Sequence, residues 1–362
     1  MKLLITFLVL FYCSFANTAF AREEFNVWLD ALKQEAMSAG ISEKTATDSI
    51  SRVQLLPNII KLDRSQPEFI SPFLDYYQRR VDALKIKRGR EMLVDHAVLL
   101  NKIEAQYGVP KAILVAFWGM ETNYGRFQGN IDTLSALATL AYDGRRSSFF
   151  RNQFMDAMRM IEADHADAEQ LAGSWAGAFG HMQFMPTTFM TYAVDGDGDK
   201  KIDIVNSTTD AFASAANYLS QVGWRKGEPA MIEVQLPANF EWQIAQFNLR
   251  KPVEEWATMG VSTMQPAYLF ANNKPKERLV NVHKPKTKKN KTALHQITYQ
   301  KEAVKNLQGN QTANVSPLKF KLPNVAGQAA IVLPQGWRGP AFMIFDNFDA
   351  VMDWNRSVNY AL

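Results

Sequence analysis

The chain has 362 residues, 47% hydrophobic and 21% charged, with 40 basic side chains against 36 acidic ones and a formal net charge of +4. That apolar fraction excludes a wholly disordered chain, and so small a surplus argues against nucleic-acid binding by the molecule as a whole. A chain of this length buries roughly three quarters of the surface its unfolded form exposes, and one to three domains is the natural division.

Residues 1–21 have the pattern of a secretory signal. Lys2 is the positive start, Leu3 to Cys13 is an apolar run too short to span a bilayer, and Ala19-Phe20-Ala21 is a small-x-small cleavage site that places the mature start at Arg22. The competing readings are an uncleaved anchor and a lipoprotein acylated on Cys13, where Tyr12 stands in the place of the small residue that acylation requires. The mature chain of 341 residues has no cysteine, so it gains no disulfide from an oxidising compartment. The expectation is a soluble periplasmic protein, exported by a cleavable signal, with no transmembrane anchor in its mature form.

From Glu23 to about Gln106 the pattern is helical. Phe25, Trp28, Leu29 and Leu32 recur at helical spacing, Gly40 stops that helix, and Ser42 caps a second. A third helix is expected through Phe73 to Leu84 and a fourth through Met92 to Tyr107. Residues 109–227 stay mostly helical between glycine-rich turns. Met231 to Leu236 then alternates as a strand, residues 272–315 form a polar, lysine-rich exposed insertion, Ala329 to Leu333 is a returning strand and Phe348 to Leu362 a last helix. No internal repeat is present. The domain organisation predicted is an N-terminal helical region over 22–108, a core over 109–227, a β-containing subdomain over 228–340 and a C-terminal helix over 341–362 that returns to the core. The fold class is mainly α (α+β).

Three motifs carry chemistry. Pro110 opens a helix through Gly119-Met120-Glu121-Thr122-Asn123-Tyr124-Gly125, where Ile113, Phe117 and Glu121, four apart, share one face and Gly125 is the stop. An apolar stripe and the negative end of the helix both disfavour a carboxylate anion, and a carboxyl group kept protonated near neutral pH suits protonation of a glycosidic oxygen. The alternative is an ordinary solvent-facing glutamate. Gly173 to Thr187 is a glycine-spaced loop leading into a helix near Pro186, with Ser174 and Gln183 as hydrogen-bonding groups suited to sugar substituents; a tight turn packed on Trp175 and Phe179 is the plainer reading. Asp195, Asp197, Asp199, the backbone carbonyl of Lys201, and Asp203 fall at positions 1, 3, 5, 7 and 9 of a loop of EF-hand type, although position 6 is Lys200 rather than glycine. Position 12 is Asn206, and Asp210 is the carboxylate that would replace the missing glutamate; the alternative is an acidic surface turn.

Gly119 to Gly125 and Gly173 to Pro186, with Ala215-Ala216-Asn217-Tyr218, closely resemble the B-type lytic murein transglycosylases. The likeness runs from about Asp63-Arg64-Ser65-Gln66-Pro67-Glu68-Phe69 to the C-terminus, apart from residues 272–315. It implies a goose-lysozyme-like helical core with N-terminal helices and a small antiparallel β-subdomain. It also implies cleavage of the β-1,4 bond between N-acetylmuramic acid and N-acetylglucosamine in peptidoglycan, leaving a 1,6-anhydromuramic end. Carried across, Glu121 takes the place of the single catalytic acid/base, and Ser174, Gln183, Tyr218, Asn355 and Tyr360 match substrate-contacting positions. No cofactor is implied for the chemistry, a structural calcium ion is implied for the acidic loop, and the implied partners are glycan strands and cell-wall synthases. The sequence departs from the pattern at Trp354, where tyrosine is usual, which keeps a stacking surface but loses a hydroxyl; it also ends at Leu362, where relatives usually continue the last helix.

Glycoside hydrolysis commonly uses two carboxylates, and none lies beside Glu121 in sequence, although Asp132 or Asp143 could approach in space. One suffices if the substrate's own 6-hydroxyl is the nucleophile, because a tethered attack has a large entropic advantage. The rival readings are a muramidase that cleaves the same bond with water and a non-catalytic peptidoglycan-binding scaffold. The five histidines show no metal spacing, and no G-x-S-x-G elbow or P-loop occurs. Trp118, Trp175, Trp224 and Trp354 are expected in the core rather than as sugar platforms. The charge is uneven: Lys274 to Lys291 alone carries +7, which leaves the rest of the mature chain at −4. A solvated insertion is the plain reading of that arm, and attachment to anionic envelope material the sharper one.

Overall fold

The computed structural model describes residues 23–64, 71–263 and 320–362. The signal segment, Ser65 to Phe69 of the N-terminal motif, and the lysine-rich insertion with its basic arm lie outside the described residues. The described chain is mostly helical, with two small antiparallel sheets. Among its helices none is long and apolar enough to cross a membrane.

Helix α1 (23–38) buries Phe25, Leu29, Leu32 and Ala36, and the chain turns at Gly40. Ser42 then caps α2 (Glu43–Ser51), its hydroxyl accepting from the Thr45 amide at 3.2 Å. After α3 (Pro57–Arg64) the helical pattern is cut more finely than the periodicity indicates. Instead of one helix through Phe73 to Leu84, α4 (Phe73–Arg80) ends and Asp82 starts α5 (Ala83–Asp95), its carboxylate accepting from the Lys85 amide at 2.7 Å. Leu84 therefore belongs to α5. The expected helix from Met92 is also split, because His96 (φ −102, ψ 17) separates α5 from α6 (Ala97–Tyr107). In both places apolar spacing runs on across a junction that local backbone geometry breaks.

The helical body is centred on α8 (Thr133–Tyr142), which is buried from Thr133 through Ala141 and packs against α9 (Ser147–Glu162) and α3. A helix enclosed on every side must place its hydroxyls against backbone donors. Ser135 Oγ accepts from the Gln54 amide at 2.9 Å and Thr139 Oγ1 from the Leu56 amide at 3.0 Å, so α8 fixes the connection between α2 and α3. Asp63, at the end of α3, is 2% exposed and is gripped by Arg145 and Arg146. Burial opposes its charge, but the two guanidinium groups prevail and hold its carboxyl below the usual range.

Ahead of α8, β1 (Ile131–Asp132) pairs with β2 (Ala172–Gly173). That pairing brings two backbones into close approach. Gly129 has φ +96, and a Cβ there would lie 2.1 Å from the Gly173 carbonyl. The helices α7 (Lys111–Thr122), α10 (Pro186–Tyr192) and α11 (Thr208–Gln221) complete the body, and α10 begins at Pro186 as its position after the glycine loop predicts.

The second sheet has the order β4-β6-β7-β3-β5, antiparallel throughout. Its strands are β3 (Met231–Gln235), β4 (Lys251–Pro252), β5 (Ser262–Thr263), β6 (Gln328–Val332) and β7 (Ala341–Ile344), and α12 (Val253–Thr258) follows β4. The two strands expected from sequence are present, and residues 341–344, read as the start of the C-terminal helix, form a strand. Alternation along β6 divides two apolar layers, with Ala329 and Ile331 packed with Trp256 and Met343, and Ala330 and Val332 packed with Ile344 and Phe348. The single expected helix Phe348–Leu362 is two, α13 (Asp346–Trp354) and α14 (Val358–Ala361). The break is at Asn355, which is extended (φ −143, ψ 118) and whose side chain accepts from the Ser357 amide at 3.0 Å. Ala350, Val351 and Tyr360 from this returning segment join the helical core.

Gly144 also has positive φ but faces open space, so alanine there meets only backbone strain. Gly129→Ala is expected to destabilise the protein by about 1–3 kcal/mol more than Gly144→Ala, because it adds a backbone clash, as measured by denaturant unfolding.

Candidate active site

Helix α7 carries Glu121 into the centre of the molecule and then stops abruptly. Asn123, Tyr124 and Gly125 all have positive φ (51, 62 and 77), so the chain reverses within three residues of the acid and Asn123, ahead of the expected Gly125, is the left-handed cap. The Tyr124 ring folds back over α7, and its hydroxyl donates to the Lys85 carbonyl at 2.7 Å. Only glycine fits beneath it at 119, where a Cβ would lie 2.7 Å from the ring. Thr122 Oγ1 accepts from the Gly125 amide at 2.9 Å and donates to the His181 carbonyl at 2.8 Å. Trp118 Nε1 donates to His181 Nδ1 at 3.0 Å, and burial holds that imidazole below its ordinary pKa, in the neutral form that can accept. The helix end is thereby tied to the glycine loop.

Glu121 is half-buried and lines a cavity of about 370 Å³ with Ser71, Tyr76, Arg79, Arg80, Asn355 and Tyr360. Its Oε1 accepts two hydrogen bonds, from Trp354 Nε1 at 2.9 Å and from Tyr360 Oη at 2.7 Å. Burial pushes its pKa up, against those two donors and the positive charge of Arg80. The same burial, with the neighbouring carboxylate, drives the Tyr360 phenol well above its ordinary value, so Tyr360 keeps its hydroxyl proton. Glu121 is the one carboxylate among the described residues of the cavity. Asp132 caps α8 through the Ser135 amide at 2.7 Å, and Asp143 pairs with Arg64 at 2.8 Å, so neither serves as the second acid of this cavity.

The remaining sequence-predicted residues fall into two groups. Asn355 and Tyr360 border the cavity with Glu121. Tyr218, on α11, meets the Trp354 ring edge-on at 5.2 Å, and burial, with a smaller contribution from Asp353, pushes its phenol up to about 12. Ser174 and Gln183 shape the glycine loop. Ser174 Oγ accepts from the Ala178 amide at 3.1 Å, while Gln183, at φ +51, donates through Nε2 to the carbonyls of Gln128 and Gly180 at 3.0 Å each. Phe184, on the same loop, packs on Trp354 at 5.4 Å. Sequence reasoning passed over Arg80 and Tyr76, and read Trp354 as a stacking or core ring without its role as a donor to the acid. The replacement of tyrosine by tryptophan loses a hydroxyl and supplies an indole N–H aimed at the acid. The other three tryptophans follow expectation: Trp118 and Trp224 are buried and Trp175 is partly buried against the core.

In the acidic loop, Asp195, Asp197 and Asp210 bring carboxylate oxygens within 4.8 Å of one another. Asp210 is 1% exposed, and among the described residues none of the three has a cationic partner. Burial raises the Asp210 pKa, and the charge of Asp197 adds to that. Three hard oxygen donors, one of them buried without a counter-charge, fit a divalent cation such as calcium. Lys200 adopts the left-handed conformation (φ 76) that glycine usually supplies at position 6. Asp199 and Asp203 stand outside that trio and accept instead from the amides of Lys201, Val205 and Asn206 at 2.8 to 3.0 Å. The loop reaches the acid through backbone, since the His181 amide donates to the Ile204 carbonyl at 3.0 Å and Gln128 Nε2 to the Val205 carbonyl at 3.1 Å.

A family model described as the transglycosylase SLT domain matches residues 24–301 and 281–362. Over 242 residues the chain is 28% identical to membrane-bound lytic murein transglycosylase B of Escherichia coli (strain K12), covering 63% of this chain and 65% of that protein, so it spans just under two thirds of that relative's length. Among solved structures, SltB3 from Pseudomonas aeruginosa in complex with NAG-NAM-pentapeptide is 36% identical, with a TM-score of 0.74 over 93% of this chain and 76% of its own. Its complex with NAG-anhNAM-pentapeptide aligns equally well. The Escherichia coli Slt35 structure in complex with calcium shares the fold at 23% identity, with a TM-score of 0.66 over 92% of this chain and 88% of that one.

Because the folded pKa of Glu121 is raised, its proton is bound more tightly in the folded state than in the unfolded one. Its contribution to stability is complete below the ordinary glutamate value and is lost as pH rises through the folded one. Glu121→Gln, which keeps an acceptor for both donors but never ionises, is expected to match wild type in thermal melts at pH 4 and to melt at higher temperature than wild type at pH 8.

Proposed function

The chain belongs to the transglycosylase SLT-domain family, and from that membership we propose that it is a lytic murein transglycosylase with Glu121 as its single acid/base. The observation that supports this most directly is Glu121 itself, a carboxyl group whose pKa burial raises, held by two donors and with no second carboxylate among the described residues of its cavity. A glycoside hydrolase commonly uses a second acidic group to activate water or to act as nucleophile. A transglycosylase does not, because the substrate brings its own nucleophile.

The substrate is the β-1,4 bond between N-acetylmuramic acid and N-acetylglucosamine. Glu121 donates its proton to the glycosidic oxygen, and the carboxylate so formed takes the proton of the muramic 6-hydroxyl as that oxygen attacks the anomeric carbon. The ring closes to a 1,6-anhydro end, and the carboxyl group is again protonated. The substrate's N-acetyl group supports the positive charge that develops at the anomeric carbon. In its charged interval the carboxylate is held by the Tyr360 and Trp354 donors and by Arg80. The SltB3 complexes with NAG-NAM-pentapeptide and NAG-anhNAM-pentapeptide correspond in name to the substrate and product proposed here. The proposed setting is the periplasm, with peptidoglycan strands as the partner. Ser174, Gln183, Tyr218, Asn355 and Tyr360 are the proposed substrate contacts. For Ser174 and Gln183 this means contact through a loop whose shape their side chains maintain.

The acidic loop is proposed to hold structural calcium on Asp195, Asp197 and Asp210, with the Lys201 carbonyl as a further donor. The ion's role is to stiffen the backbone that reaches His181 and Gln128, and the acid chemistry proceeds without it.

Two experiments test these readings. Muropeptides released from purified sacculi are expected to carry ends one water lighter than hydrolysis products by mass spectrometry, and Glu121→Gln is expected to lower turnover by about 10²–10⁴-fold. Hydrated ends would assign the protein as a muramidase, and near-normal turnover of the variant would remove Glu121 from the chemistry. For the metal, excess Ca²⁺ is expected to raise the melting temperature reversibly, about 2.7 kcal/mol of stabilisation being reached at a hundred times the dissociation constant. Asp210→Asn is expected to abolish that response.

A further inference from the structure

We propose that Trp354 is the positioning residue that decides which oxygen of Glu121 carries the transferable proton, confining it to Oε2. The proposal rests on the reading of Glu121 as the general acid. A carboxylic acid has two possible sites for its proton, and transfer is efficient only when the protonated oxygen is the one presented to the glycosidic bond.

Both donors in the site converge on Oε1, Trp354 Nε1 at 2.9 Å and Tyr360 Oη at 2.7 Å. They are not equivalent. A phenol hydroxyl rotates and can either donate or accept, so Tyr360 by itself tolerates a proton on Oε1. An indole N–H only donates, and it cannot turn away unless the ring moves. The Trp354 ring is held by Phe117 at 4.6 Å, Tyr218 at 5.2 Å and Phe184 at 5.4 Å. Its N–H is thus a fixed donor at Oε1, and a proton on that oxygen would be set against it. The proton is left on Oε2, and the negative charge that appears when it departs is received at Oε1 by two donors already in place.

The step balances within the groups named. The Oε2–H bond breaks as an O–H bond forms on the leaving sugar, its electron pair stays on the carboxylate, and Oε2 regains a proton from the substrate's 6-hydroxyl. Tyrosine, the residue usual at this position in the resembling family, would restore a donor but not a one-way donor.

The other charged and titratable groups facing Glu121 are Tyr76, Arg79 and Arg80 on α4 and Tyr360 on α14, with Tyr218 and Asp353 beyond the indole. Arg80 is itself fixed by donating to the Met120 carbonyl at 3.0 Å. All of them are retained in the variants that follow.

The test compares wild type, Trp354→Phe, Trp354→Tyr and Glu121→Gln as full-length protein on purified sacculi across pH, with thermal melts alongside. Trp354→Phe keeps an aromatic ring and removes the N–H. Expected are a fall in kcat of about ten- to a hundredfold with little change in KM, and an alkaline limb of the kcat profile displaced to higher pH, because the anion has lost a donor. Trp354→Tyr is expected to move the limb back, because a donor to the anion is restored, but to recover only part of the rate, because a hydroxyl also tolerates a proton on Oε1. A limb that stays at the wild-type pH in Trp354→Phe, or an equal loss in the Phe and Tyr variants, makes Trp354 a packing residue and overturns the proposal. Should Trp354→Phe fail to fold, benzothienylalanine at 354 preserves the ring shape without the N–H and is judged by the same limb. Turnover retained in Glu121→Gln removes the acid itself. An inactive Glu121→Gln with an unmoved limb in Trp354→Phe removes only the assignment of Trp354.

Discussion

A carboxyl group buried near the end of a helix is an expensive thing to fold around, and much of this molecule is arranged to hold one. Desolvation alone would leave Glu121 inert as a base and unable to stabilise the charge it forms on giving up its proton. The two donors at Oε1 resolve that conflict, because they favour the anion without abolishing the acid. They also impose a condition on the chain, which must return to the helical core after building the β-subdomain. The antiparallel sheet ends on β7, which delivers α13 and α14 to the acid. The hinge of that return is Asn347, whose side chain accepts from the Arg225 amide at 2.6 Å and donates to the carbonyls of Arg225 and Glu228.

The other side of the site is fixed by backbone rather than by charge. The reversal at residues 123–125, the close approach at Gly129 and the left-handed Gln183 each place a main-chain segment where a different conformation would displace the acid or its loop. The His181 amide and the Gln128 side-chain amide join these segments to carbonyls of the acidic loop, with no side chain of the loop reaching the acid. This arrangement is what would let the proposed calcium act structurally while lying outside the chemistry.

Periodicity reveals where apolar faces lie, and on that basis the helical body, the Ser42 cap, the strands around Met231 and Ala329 and the helix bearing Glu121 were all evident from residue order. The misplaced boundaries share one cause. At Asp82, His96 and Asn355 the apolar spacing continues while the local backbone does not, and a pattern averaged over several turns does not register a one-residue break. Asp132 and Asp143 looked available as second acids because sequence shows a carboxylate but not its partner. The convergence on Oε1 was hidden for another reason: Trp354 and Tyr360 lie 233 and 239 residues beyond Glu121 in the chain. The substitution of tyrosine by tryptophan suggested a lost hydroxyl, and only the geometry shows an N–H in its place.

That separation also sets an order in time. A chain made from its N-terminus presents Glu121 early, and the acid then waits for more than two hundred further residues before its donors arrive. Until Tyr360 has been made and α14 has docked, the cleft has neither its two donors nor the enclosing wall that make the carboxyl group useful. The contact that completes the site is among the most non-local in the fold, and contacts of that kind form late. On the proposed function, a chain that cuts peptidoglycan is silent while it is being made and becomes competent only as its folding concludes.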